Sequence, residues 1–143
     1  MKLPSEFILW KIAAIGLGLI FGVAFIAFMN QLNFMFYKIP DSFNADADFY
    51  HFELASNNLF LTGKIISIFT GCFLTGGIAK LVNRSIQIRE TVAAGIILML
   101  VGLIDLFSAP YPVWYWVISM LVYVPSSVAG YYFIKHYREQ TVE

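Results

Sequence analysis

Apolar residues along this chain neither alternate nor form a narrow stripe at helical spacing; they fill long segments. Four stand out, about 8–29, 59–82, 91–108 and 113–134, separated by polar or turn-forming residues. An α-helix rises about 1.5 Å per residue and the hydrocarbon core of a bilayer is about 30 Å thick, so roughly 17–25 apolar residues make one crossing. Each segment meets that length; the third only just does, which predicts a helix with little tilt. The pattern predicts an all-α, polytopic membrane protein. Its four transmembrane helices form an antiparallel, up-down-up-down bundle over residues 1–143, with one substantial outer loop at about 30–58.

Turn and cap residues fall between the segments. Pro110 and Pro112 bracket a tight turn, with Pro112 just before the fourth helix, where a missing N–H costs little. Ser56, Asn57 and Asn58 offer caps for the second helix. Pro125 lies inside the fourth segment, where it predicts a kink, with Ser126 and Ser127 expected to satisfy the freed backbone groups. Lys2 and Lys11 before the first apolar run resemble the start of a signal peptide. The run is too long for one and no small-x-small cleavage site follows it, so the expectation is a retained signal-anchor helix.

Composition agrees with a lipid solvent. The apolar fraction is 59% and the charged fraction 13%, far from the balance of a soluble domain. Nine basic and nine acidic residues cancel, so no global field attracts nucleic acid. The basic residues are unevenly placed. With the N-terminus inside, the inner segments carry Lys2, Lys11, Lys80, Arg84, Arg89, Lys135 and Arg138, and the outer ones only Lys38. That bias predicts a plasma (inner) membrane protein with both termini cytoplasmic. Trp10 and Tyr137 then anchor the inner edge, and Tyr37, Tyr111, Trp114, Tyr115 and Trp116 the outer edge.

In lipid, helices associate where small residues let backbones approach. The second segment carries Gly63, Ser67, Gly71, Thr75 and Ala79, each four residues from the last, and the first carries Ala14, Gly18 and Gly22. These ladders are expected to pack against each other; the alternative is that one of them serves self-association.

Lys64 and Asp105 are the ionisable residues well inside the spans. Each lies about a turn below the outer surface, and each opposes its local helix dipole: Lys64 sits near a helix N-terminus and Asp105 near a C-terminus. A central lysine costs about 2.5–3.5 kcal/mol to insert, and the ten large apolar residues of its span return roughly 3–6 kcal/mol, so insertion does not require the pair. Two readings follow: a polar cavity opening outward, with Lys64 and Asp105 binding an ion, proton or small polar group, or a structural role only, either as a salt bridge or with Lys64 merely snorkelling to the surface.

Asp41, Asp46, Asp48, His51 and Glu53 cluster in the outer loop, but their spacing matches neither an EF-hand nor a zinc pattern, and a solvated acidic loop is expected. Phe43, Phe49, Tyr50 and Phe52 among them predict a short amphipathic segment at the membrane surface. Cys72, the single cysteine, reads as a packed, inert thiol. No cofactor is implied.

In length and helix count the chain resembles the small multidrug-resistance transporters, whose first helix holds a glutamate; residues 8–29 contain no carboxylate, and the resemblance ends there. Vitamin-K-epoxide-reductase-like enzymes and claudin-like proteins each require a cysteine pair that a single cysteine cannot supply. No nucleophile–base–orienter set supports catalysis. The sequence reading is a non-catalytic accessory, assembly or interaction subunit that packs against lipid and other membrane proteins. The alternative is a binding or transport unit for a small polar solute, ion or proton at Lys64 and Asp105.

Overall fold

The computed structural model describes residues 4–37 and 54–140, and within them the chain is helical with no strands. Four long helices follow in order: α1 (Pro4–Phe36), α2 (Asn58–Val82), α3 (Ile88–Phe107) and α4 (Val113–Gln140). All four are long and apolar enough to cross a membrane.

Helix α1 runs on to Phe36 instead of ending near Met29, so residues 30–36 belong to the helix and not to the expected outer loop. Asn30, Gln31 and Asn33 mark a change of polarity, and none of them breaks a helix. Asn33 is held by a partner: its Nδ2 donates to the Phe60 carbonyl at 2.9 Å. At about 1.5 Å per residue, α1 measures roughly 50 Å, more than a bilayer core requires. Helix α4 likewise extends to Gln140, beyond the apolar boundary at Ile134. Asn57 caps α2, its Oδ1 accepting from the Leu59 and Phe60 amides at 3.0 and 3.2 Å. The acidic and aromatic positions of the outer loop, Asp41 to Glu53, lie outside the described residues.

Helix α2 is the centre of the arrangement, in contact with α1 along one side and α4 along another. A Cβ added to Gly18 would stand 2.5 Å from the Thr75 carbonyl, and one added to Gly71 would stand 2.8 Å from the Gly22 carbonyl. Gly22 in turn lies against the Thr75 hydroxyl, and Gly63 against the Asn33 amide. Ala14 is fully buried, beside Ile86 and Tyr131. Ser67 and Thr75 turn their hydroxyls back to the Gly63 and Gly71 carbonyls at 2.8 and 3.0 Å, which leaves no buried hydroxyl without an acceptor at these two positions.

A second small-residue face of α2 meets α4. Gly76 lies against the Ser127 carbonyl and Gly130 against the Phe73 carbonyl, with no room for a methyl group at either. Helix α4 passes through Pro125 without interruption. Ser127 does not return to its own helix: its hydroxyl donates to the Thr91 carbonyl of α3 at 3.2 Å. This bond serves the α3–α4 seam, where Gly95 also allows close approach to Val124 and Ser127.

At the other end of the bundle, cations meet carbonyls. Lys80 donates to the Arg84 and Ile86 carbonyls at 2.6 and 2.8 Å, and Arg138 reaches the Leu81 carbonyl at 2.6 Å. Positive charge at the C-terminus of α2 complements the helix dipole. Lys11 pairs with Glu90 at 2.8 Å, tying α1 to the start of α3.

Large apolar side chains cover the outside: Ile20, Ile104 and Leu121 are each about two-thirds exposed or more. Overpacking a tight helix contact costs about 1–3 kcal/mol. Gly76→Ala, whose Cβ would meet backbone, is therefore expected to lower the thermal midpoint in detergent. Gly16→Ala, with nothing within 4 Å, is expected to leave it unchanged. Equal midpoints for the two variants would contradict this packing.

Candidate functional site

Lys64 projects from the second turn of α2 and is buried, with 4% of its surface exposed. Its Nζ donates to Asp105 Oδ2 at 2.7 Å and to the Tyr111 hydroxyl at 2.8 Å. Asp105 comes from the last turn of α3, and its side chain is half exposed. One member of the pair is thus enclosed and the other reaches the surface.

Tyr111 is set by its neighbours in sequence. Proline on both sides restricts the backbone, and the Tyr111 amide closes a tight turn onto the Ala109 carbonyl at 2.8 Å. The Pro112 carbonyl accepts from the Tyr115 and Trp116 amides at 3.0 and 3.3 Å, starting α4. The Tyr111 ring packs on Tyr115 with centroids 4.9 Å apart. These constraints hold the hydroxyl where Lys64 needs an acceptor. An ammonium group has three N–H donors, and two of them have partners here.

Helices α1 and α3 touch only sparsely, and an open cleft runs between them with α2 and α4 as its floor. Its inner part, about 190 Å³, is walled by Val23, Ile26 and Ala27 of α1, Ile68 of α2, Leu98 and Val101 of α3, and Tyr123 of α4. An outer part of about 220 Å³ is bordered by Phe34, Ser108, Ala109 and Tyr111. Asn30, Lys64 and Asp105 border both parts. Asn30 Oδ1 is buried with no hydrogen-bond partner among the described residues. Tyr115 Oη is in the same condition, within the cluster formed by Leu54, Phe60, Leu61 and Leu106.

The two sites foreseen from composition therefore differ in kind. Lys64 and Asp105 are in direct contact at a cleft, and Lys64 is enclosed instead of snorkelling to the surface. The eight small residues line or flank the α1–α2 contact and stand apart from the charges, except Gly63, which precedes Lys64. Tyr111, Asn30 and Tyr123 were not singled out for the site by sequence reasoning. Tyr111 reads as one more interfacial aromatic, and Asn30 as the end of a span. The signal available for Tyr111 was its confinement between two prolines beside a buried charge. Cys72 is buried among Ile68, Leu98 and Tyr123, away from the ion pair. No group of three His, Cys, Asp or Glu side chains gathers among the described residues.

The arrangement can hold a ligand that accepts from the ammonium and donates to the Asp105 carboxylate and to Asn30 Oδ1. Removing one partner of a buried pair costs about 3–5 kcal/mol, whereas replacing both by apolar groups is often neutral. Asp105→Leu is accordingly expected to destabilise the protein in detergent, by less than that range because Asp105 is half exposed, and Lys64→Met/Asp105→Leu is expected to recover most of the loss. Additive losses in the double variant would show that the two charges are not coupled. Comparison with family models, curated proteins and solved structures finds no match to this chain.

Proposed function

We propose that the chain is a four-span integral membrane protein of the plasma (inner) membrane that binds a small polar-headed ligand at Lys64 and Asp105. In this reading the helices run up-down-up-down and both termini are cytoplasmic. The contact order supports that topology: early residues of α1 meet late residues of α2, as Gly18 does with Ala79, and late residues meet early ones, as Asn33 does with Phe60. The Lys/Arg bias supports the orientation, since Lys80, Arg84, Arg89, Lys135 and Arg138 then share the inner side.

The observation that carries the binding reading is an open cleft on both sides of a buried lysine. Charged side chains among membrane-spanning helices mark ligand or ion sites by default. An accessory or assembly subunit needs a filled interior and a free small-residue surface. Here the interior beside Lys64 is open, and Gly18, Gly22, Gly71, Gly76 and Gly130 are all taken up by contacts within the chain. Both features favour binding over a purely adhesive role. The exposed apolar exterior is the surface for bilayer lipid.

Native mass spectrometry of protein released directly from cell membranes tests the reading. A small-molecule adduct is expected on the wild type and absent from Lys64→Met/Asp105→Leu; no adduct, or equal adducts on both, would contradict it. Orientation is tested separately in a Cys72→Ala background. A membrane-impermeant thiol reagent added to intact cells is expected to label Ser108→Cys, and Arg84→Cys only after the membrane is opened. The reverse order would overturn the topology.

A further inference from the structure

The polar and apolar parts of the cleft are ordered along the helix axes. Asn30, Lys64 and Asp105 form a polar level near one end, and Val23, Ile68 and Leu98 lie deeper, with Ile26 and Ala27 between. From Asn30 to Val23 the wall descends by about 10 Å. Val23, Ala27 and Val101 are exposed at the rim, so the cleft opens sideways, toward the surface that faces hydrocarbon in a membrane. Polar groups above and an open apolar channel below repeat the order of a lipid monolayer.

We infer that the cleft seats an uncharged, single-chain amphiphile, its hydroxyl-bearing head at Asn30, Lys64 and Asp105 and its alkyl chain between α1 and α3. This rests on the reading of the ion pair as a binding site and specifies what is bound. Charge selects the head. Lys64 and Asp105 cancel, and the other residues bordering either part of the cleft are uncharged, so an ionic head would enter a low-dielectric site without a counter-charge. Hydrogen bonding selects it further. Asn30 Oδ1 is an acceptor without a donor among the described residues, and the exposed Asp105 carboxylate is another acceptor. Lys64 has a donor beyond the two that reach Asp105 and Tyr111. A head with both O–H groups and an ester or ether oxygen answers all three; glycerol monoesters are of this type. Apart from the Tyr123 hydroxyl, which lies against Gly102, the walls of the inner cleft are apolar and suit a chain.

The test uses the full chain in detergent and 1-oleoylglycerol bearing a tail diazirine, with oleate, oleylamine and glycerol monoacetate as competitors. Saturable cross-linking is expected within 23–27 and 98–102, displaced by unlabelled 1-oleoylglycerol. It is expected to be weakened about tenfold by Ala27→Phe, which adds bulk at an exposed rim position, and by Lys64→Met/Asp105→Leu. Displacement by glycerol monoacetate at equal concentration would retain the polar site but overturn the seat for the chain. Stronger displacement by oleate or oleylamine would overturn the uncharged head. Absence of saturable binding by all four compounds would overturn both this inference and the binding reading beneath it.

Discussion

Close backbone approach on two faces of α2 is the constraint from which the rest of the molecule follows. Apolar surface gives helices in lipid little reason to associate, so contact must come from van der Waals packing where side chains are smallest. Gly71, Thr75 and Ala79 bring α1 against one face, and Gly76 with the Phe73 carbonyl brings α4 against another. Helix α3 is attached mainly through α4, by the Ser127–Thr91 bond and the gap at Gly95. With α1 and α3 anchored to different partners and tied to each other by the Lys11–Glu90 pair at the far end of the bundle, a cleft remains between them at the Lys64 end. Lys64 lies on α2 where that cleft has its polar end, and Asp105 reaches it from the end of α3.

This order explains why the ion pair is asymmetric. Lys64 belongs to the central helix and is enclosed; Asp105 belongs to the loosely held helix and stays half exposed. The Tyr111 hydroxyl, fixed between two prolines, completes the enclosure. The pair opposes both local helix dipoles, so each charge relies on the other.

Much of this was legible in the residues, for physical reasons that differ from feature to feature. Four apolar runs of spanning length leave few alternatives to four helices. Lys64 and Asp105 stand out because charge is rare in such runs, and their similar depth follows from counting turns. The ladder beginning at Gly63 was visible because it repeats every four residues. Its counterpart on the α4 side was not: Gly76, Ser127 and Gly130 form no regular series within one helix and become a contact only when two helices meet. Hydropathy also misplaced the end of α1. Asn30 and Asn33 lower the apolar average without breaking a helix, and Asn33 finds its partner in α2. Ser127 was assigned to its own helix because a serine after proline has a local use; the structure gives it a partner in α3.

The central claim is that a buried lysine and an aspartate on separate helices meet at the cleft. Solid-state NMR of the protein in lipid bilayers measures it directly, through dipolar coupling between ¹⁵N at the Lys64 ammonium and ¹³C at the Asp105 carboxylate. With Nζ 2.7 Å from Oδ2, a strong correlation is expected, and it should vanish in Asp105→Asn where only the carboxylate has been changed. A lysine signal with no carboxylate correlation in the wild type, exchanging freely with bulk water, would contradict the account.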